Sequence, residues 1–427
     1  MTATTAGSSA GPTLEEIAAE AHAFLAPRVP RRAPARLGEG LDDVMGVGLR
    51  RGDAELVEVE AARDWQRDLF GAGLAWIDGP AEYGGRGLTE AHRNRVHAVL
   101  REYDVPNTAC FMVGHDIVGP AILAHGTEEQ RAAYLPGIWR GDIICCQLFS
   151  EPGAGSDLAS LRTSARRAGE GWLVNGQKVW SSYAHLAQLG ELLARTGDPA
   201  DRHRGITAFL VDMGTPGIDV RPLRQITGAE HFNEVFLDDV AVPDTQRIGE
   251  VDGGWPIALT TLTSERSLMG DEHNGLMNDP VRRLYALAES TGADADPAVR
   301  ELLAEAWERE QIVRETARRS LAAPADEQTG SVLKLMSTAD MEFYIAVATR
   351  ILGPRLAVDH GTWGTFAWSQ LLLGAPAHRI AGGSDEIQKN IIAERVLGLP
   401  RDPRPPIPDR PPIPDRPTTT LRQRGPA

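Results

Sequence analysis

The chain has 427 residues, of which 42% are hydrophobic and 24% charged, a composition that supplies a core and excludes disorder throughout. At roughly 100–200 residues per domain the length predicts two to four domains rather than one small binding module. Lys and Arg number 44 against 59 Asp and Glu, and the resulting net charge of -15 has the wrong sign for tracking a phosphate backbone or an anionic membrane surface, which sets nucleic acid aside as a partner.

In chain order, residues 1–13 are small and polar and are expected to be disordered; MTATTAGSSAGPT also lacks the basic and apolar regions of an export signal. Residues 14–141 repeat apolar positions at helical spacing, as in EEIAAEAHAFL and AARDWQRDLFGAGLAW, and predict an N-terminal helical domain. Over residues 142–250 the period changes to two. IICCQLF, WLVNGQKVW, GITAFLVDM and NEVFLDDVAVP read as strands of an antiparallel β domain, with Asn175-Gly176 as a two-residue hairpin turn. Helical spacing returns after Gly253-Gly254 and makes residues 251–400 a C-terminal helical domain. There Val332, Leu335, Met336, Ala339, Phe343, Val347 and Ile351 form one apolar stripe. Residues 401–427 hold R-P-P-I-P-D twice in tandem and predict an extended, disordered tail, a solvated extension being favoured over a ligand for a proline-binding groove. Helices, sheet, helices is a three-domain layered architecture.

Three cysteines, two of them adjacent at Cys145 and Cys146, neither build a disulfide framework nor offer the spacing of a zinc site, so the chain reads as reduced and cytoplasmic. No apolar run approaches the ~18 residues of a membrane span. Gly153-Ala154-Gly155 opens like a dinucleotide fingerprint, but Leu158 stands where the third glycine belongs. Ser331-Val332-Leu333-Lys334 matches S-x-x-K without its companion elements, and Ser331 reads as a helix-start residue. Phosphate-loop, metalloprotease and nucleophile-elbow motifs are absent, and the 11 histidines show no ligand spacing; no metal is expected.

Four segments cohere: Pro80-Ala81-Glu82-Tyr83-Gly84-Gly85-Arg86-Gly87, Ser150-Glu151-Pro152-Gly153-Ala154-Gly155-Ser156-Asp157, Asn175-Gly176-Gln177-Lys178-Val179-Trp180-Ser181-Ser182, and Ala381-Gly382-Gly383-Ser384-Asp385-Glu386-Ile387-Gln388. In this order and at these separations they resemble the acyl-CoA dehydrogenase family over residues 14–400, and the closing Glu394-Arg395-Val396-Leu397-Gly398-Leu399-Pro400 is similar to its actinobacterial-type branch. The resemblance implies an α+β fold with an N-terminal helical domain, a middle antiparallel β-barrel or sandwich and a C-terminal four-helix bundle. It implies an FAD-dependent enzyme that introduces an α,β double bond into an acyl-CoA or acyl-carrier-protein thioester. Electrons would pass to an electron-transfer flavoprotein or to oxygen. A homodimer, homotetramer or heteromer is implied, because FAD is shared across a subunit interface in the family.

Flavin reduction requires donors around the ring and a carboxylate across the substrate from it. By the motif match, the backbone at Gln147 and Leu148 and the Ser150 hydroxyl face the flavin, Trp180 covers it, and the Ser182 hydroxyl reaches N5. Ser384 and Glu386 match positions on the adenosine side, and Ser156 matches a contact to the thioester-bearing chain. Many relatives carry the base where this chain has Gly382, whose N–H could instead bond the thioester carbonyl; others carry it directly before an arginine on the first long C-terminal helix, which points to Glu265 as base, with Arg266 beside the substrate. The family's Arg-x-x-Phe-Gly segment for the FAD pyrophosphate is replaced by Thr291-Gly292-Ala293-Asp294-Ala295-Asp296, two acids and no arginine. A flavin-dependent oxygenase or oxidase on the same fold, and a subunit that completes a partner's site, are the alternative readings.

Overall fold

The computed structural model describes residues 11–32, 52–269, 280–322, 327–358 and 365–401. The N-terminal helices are α1 (Leu14–Leu25), α2 (Asp53–Gly71), α3 (Glu90–Leu100), α4 (Gly119–His125) and α5 (Glu128–Trp139). Two of them start on capping boxes, Thr13 with Glu16 and Thr127 with Gln130, in which hydroxyl and acid or amide satisfy each other's end of the helix. The leader expected to be disordered to residue 13 is therefore ordered by its last residues, since Thr13 is the cap; residues 1–10 and the 402–427 tail lie outside the described residues.

The strands are β1 (Cys145–Leu148), β2 (Ser164–Ala168), β3 (Gly171–Ser182), β4 (Leu189–Arg195), β5 (Ile206–Asp212), β6 (Ile218–Pro222), β7 (Phe232–Pro243) and β8 (Arg247–Ile248). They form one sheet in the order β6-β7-β3-β2-β4-β5-β8, with β1 beside β4. Pairing is antiparallel except where β4 meets β1 and β2. Alternation then sorts the side chains: Cys146, Leu148, Leu192, Ala194, Phe209 and Val211 share the sheet's own core, whereas Cys145, Leu189, Leu193, Ala208 and Leu210 face a core completed by Trp76, Val118 and Trp139 of the N-terminal domain.

The C-terminal helices are α6 (Gly254–Met269), α7 (Pro280–Thr291), α8 (Pro297–Ala322), α9 (Glu327–Leu352), α10 (Thr365–His378) and α11 (Asp385–Ile391). α6 lies on the sheet and the N-terminal domain, its Ile257 and Ala258 entering that shared core, while α7 to α10 build a separate core around Leu284, Leu303, Val347 and Trp368. Among the described residues no helix is long and apolar enough to cross a membrane, and no group of three His, Cys, Asp or Glu is placed to hold a metal.

Three local expectations are corrected. Asn175-Gly176 is not a turn, because β2 and β3 turn at Gly169-Glu170, from Ala168 to its partner Gly171. Asn175 instead bonds Asp239 of β7, Nδ2 to Oδ1 at 2.8 Å and Oδ1 from the Asp239 N–H at 2.9 Å, across a register shift. Gly176 is small because a Cβ there would stand 2.3 Å from the Thr163 hydroxyl. Ser331 lies inside α9 rather than at its start. The α9 stripe is also rotated from the expected one: Ala339 is exposed, and the buried face runs through Lys334, Thr338, Asp340, Tyr344 and Val347, where hydrophobicity alone could not reveal buried polar groups that carry their own partners.

Candidate active site

The motif residues of the sheet are held from behind by a buried ion pair. Lys178 on β3 is fully buried and donates to the Phe149 carbonyl at 3.0 Å and to Glu151 at 2.9 Å. Glu151 also accepts the backbone N–H groups of Arg162 and Thr163 at 2.7 and 2.8 Å. Burial pushes the Glu151 carboxyl up, but Lys178 and these donors outweigh it and leave the group below its usual range; burial lowers the Lys178 ammonium. The Val179 N–H donates to Ser150 at 2.9 Å, so the turn after β1 and the far half of β3 form one unit. Its loop closes through paired Glu151 and Ala154 backbone bonds at 3.0 Å and leaves Ser156 exposed.

Further along β3 the chain bulges. Lys178 pairs with Val235 and Ser181 with Asn233, so three steps on β3 oppose two on β7, and Trp180 takes φ +63°. An aromatic residue in the left-handed region is strained by roughly 1–2 kcal/mol and is retained only where the surroundings impose it. Here Asn233 clamps the bulge by donating to the Ser181 carbonyl at 3.0 Å, and the bulge turns Trp180 outward, 58% exposed, with Phe232 edge-on at 5.7 Å. Trp180 is thus not packed into the sheet core. Ser182, half-buried, ends the strand.

Glu265 occupies the inward stripe of α6. Ile257, Thr261 and Glu265 follow at intervals of four, flanked by Ala258 and Leu262, which contact the shared core, and Glu265 is half-buried rather than solvated. One turn earlier Thr261, fully buried, donates to Glu191 of β4 at 2.8 Å. Glu191 stands opposite Gln147 in parallel register. Gln147 Nε2 and Glu191 Oε2 are buried and have no hydrogen-bond partner among the described residues. The Arg266 side chain lies outside the described residues.

The last motif forms a turn into α11. Gly382 and Gly383 have φ +63° and +88°, and Gln388 donates its amide back to both carbonyls at 2.9 and 3.2 Å. Ser384 caps α11 and accepts the Ile387 N–H at 3.4 Å, while Glu386 is exposed. Asp385 beneath it takes Lys334 of α9 at 2.9 Å, Arg379 at 2.7 Å and Thr338 at 3.2 Å. The structure therefore joins Gln147, Leu148, Ser150, Trp180 and Ser182 in one sheet region and Gly382, Ser384 and Glu386 in one turn. α9 packs against both α6 and α11 and links the turn to the Glu265 helix.

Sequence reasoning missed Glu191 and two arginines. Thr291 ends α7 and residues 292–296 are the α7–α8 connector, and Arg300 donates to the Asp294 carbonyl at 3.1 Å while Arg350 of α9 lies 3.5 Å from Asp296. Neither arginine falls inside the segment searched for a cation. Elsewhere, a groove of about 430 Å³ on the α7–α8 face, lined by Tyr285, Trp307, Arg282 and Arg314, includes none of the residues singled out from sequence.

Comparison with known proteins bears on this geometry. Family models described as the N-terminal, middle and C-terminal domains of acyl-CoA dehydrogenase match residues 50–142, 146–240 and 252–397. The chain is 40% identical over 346 residues to the acyl-CoA dehydrogenase IpdE1 of Mycobacterium tuberculosis, covering 80% of this chain and 89% of that one. The solved Tcur3481-Tcur3483 steroid ACAD superposes with a TM-score of 0.71 at 28% identity over 91% of this chain and 98% of that one. The ChsE4-ChsE5 complex from Mycobacterium tuberculosis gives 0.70 at 25% identity over 93% and 100%.

Proposed function

The chain belongs to the acyl-CoA dehydrogenase family and is an oxidoreductase of that type, and from this premise we propose that it desaturates an acyl thioester with Glu265 as the base. The observation that carries the reading is the place of Glu265 on the inward stripe of α6, half-buried and in line with Thr261 and Ile257. A glutamate there faces the interior next to the sheet, as a base opposite a bound ring must. The Cα proton goes to the Glu265 carboxylate, the β-hydrogen leaves with its electron pair, and the Cα–Cβ double bond forms. FAD, when bound, supplies the acceptor for that hydride.

The sheet residues fit such a group. Gln147 Nε2 is a buried donor with no partner among the described residues, and Trp180 is a strained, outward-turned aromatic suited to lie over a planar ring. Leu148, Ser150 and Ser182 belong to the same braced unit. On the pyrophosphate side, Arg300 and Arg350 supply the cations that the connector itself lacks, with Ser384 and Glu386 near the adenosine. Gly382 and Ser156, with Arg266, contact the thioester and its carrier.

The substrate we infer is a CoA thioester of a bulky, ring-containing acid, by the likeness to the Tcur3481-Tcur3483 steroid ACAD, with an acyl-carrier-protein ester second. Electrons leave to an electron-transfer flavoprotein or oxygen, in a cytoplasmic homo-oligomer or heteromer. The heteromeric form is favoured by the likeness to the two-component ChsE4-ChsE5 complex and by the acid-rich connector, which also supports a second reading as the subunit that completes a partner's site. Purified protein should be yellow, and the colour should bleach anaerobically with an acyl-CoA. Flavin binding without bleaching by any acyl-CoA, alone or with a co-expressed paralogue, overturns the dehydrogenase reading.

A further inference from the structure

Glu191 is a buried acid that the reaction above does not use. It stands on β4 between Leu189 and Leu193, on the sheet face that receives α6, and is fully buried. Its Oε1 accepts the Thr261 hydroxyl at 2.8 Å, and Oε2 has no partner among the described residues. Gln147, opposite it in register, holds an amide donor in the same condition. Neighbouring strands run about 4.8 Å apart, so an acceptor and a donor front the same interval between sheet and helix.

Among the described residues no cation acts on it, and a carboxylate so placed keeps its proton. Burial pushes the Glu191 carboxyl up to about 8, against the opposing pull of the Thr261 hydroxyl. The titratable group beside it is Cys145 on β1, whose thiol burial, Cys146 and Glu191 hold well above its usual range, and Glu265 follows Thr261 one turn further along α6. His125 of α4 reaches α6 as well, but through Thr260 at 2.7 Å, on the neighbouring position of the helix.

We propose that Glu191 is a positioning residue for proton abstraction, a neutral acid that ties β4 to α6 through Thr261 and so fixes the helical turn carrying Glu265. The inference rests on the dehydrogenase reading given above. Ionisation of Glu191 places a negative charge within about one helical pitch, ~5.4 Å, of the turn that presents the Glu265 carboxylate and pushes that carboxylate out of line. The rate of flavin reduction therefore declines as Glu191 titrates.

The test uses the holoenzyme and two readouts. Difference infrared spectra of wild type against E191Q should show the carbonyl band of a protonated carboxyl, fading across about pH 8. In stopped flow with an acyl-CoA that bleaches the wild type, E191L should slow flavin reduction by roughly 10–100-fold at unchanged KM, as a misplaced reacting group does. E191Q should recover most of that loss and lack the alkaline decline. T261V, which removes the contact at constant shape, should slow reduction by about 3–10-fold and keeps the question decidable if E191L does not fold. Absence of the infrared band at neutral pH, or wild-type reduction by T261V, overturns the inference. A wild type that no acyl-CoA bleaches overturns the dehydrogenase reading and this inference with it, whereas a bleaching wild type beside an indifferent T261V overturns this inference alone.

Discussion

Behind the 151–157 turn of the sheet domain, Lys178 is buried against Glu151; behind the 382–384 turn of the helical domain, Lys334 is buried against Asp385. Both braces stand under glycine-rich segments, and both ion pairs measure 2.9 Å. They differ in what else the acid holds. Glu151 spends its remaining capacity on the Arg162 and Thr163 backbone N–H groups and so shapes main chain, whereas Asp385 gathers side chains, Arg379 and Thr338, from the end of α10 and from α9. The first brace therefore shapes the turn that carries Ser150 and Ser156, and the second locks a helix start from which the family's acid is missing. Similar devices under two motifs need not serve chemistry equally, and under the proposed function the carboxylate has moved from the second turn to α6.

The largest effect expected tests that displacement. Glu265→Gln keeps shape and removes basicity, so an acyl-CoA should still bind while flavin reduction falls by roughly 10²–10⁴-fold. Stopped-flow reduction at near-wild-type rate would return the base to some other residue.

Next come the braces themselves. Lys178→Met removes the cation paired with the buried Glu151, a loss that costs about 3–5 kcal/mol, and should loosen flavin retention along with the 151–157 turn. Lys334→Met should cost less, about 1–3 kcal/mol, because Arg379 stays at 2.7 Å from Asp385. Denaturant unfolding of the two variants ranks them. Equal losses would mean that the partly exposed Arg379 adds nothing.

How far these regions were readable follows from the same contrast. The changes of period from helix to strand and back placed the three layers, because burial of one face leaves a periodic trace in any sequence. Motif order grouped the sheet unit and pointed to Glu265, whose role as base is the proposal above, and the spacing of Ile257, Thr261 and Glu265 put the three on one side of α6. Asn175-Gly176 misled because glycine and asparagine serve close approach as well as turns, and the Thr163 side chain that demands the small residue is distant in sequence. Glu191 was invisible, since a polar residue within LGELLAR reads as the solvent face of a strand whose seven residues are all buried. Arg300 and Arg350 were missed for the reason that long-range ion pairs have no local signature.

A moderate effect is expected at the end of β3 that the proposed function turns toward the flavin. Ser182→Ala should leave unfolding unchanged and slow reduction by the equivalent of about 0.5–3 kcal/mol, the range for one hydrogen bond to a group that gains charge. Reduction at an unaltered rate would remove Ser182 from the ring's edge and leave Trp180 to define it.

The smallest effect separates the two glycines of the second turn. Both lie in the left-handed region, where a β-carbon costs about 1 kcal/mol, so Gly382→Ala should lose roughly that amount of stability. Gly383→Ala should lose more, because its new Cβ would stand 2.6 Å from the Gln388 amide and would break the bonds by which that side chain holds the Gly382 and Gly383 carbonyls. A glutamate introduced by Gly382→Glu would begin from the same strained φ of +63°. The order of the two alanine variants in thermal unfolding checks the argument. A Gly382→Ala protein less stable than Gly383→Ala would show that the residue in the base's family position makes contacts of its own, and that the turn does more than end the brace.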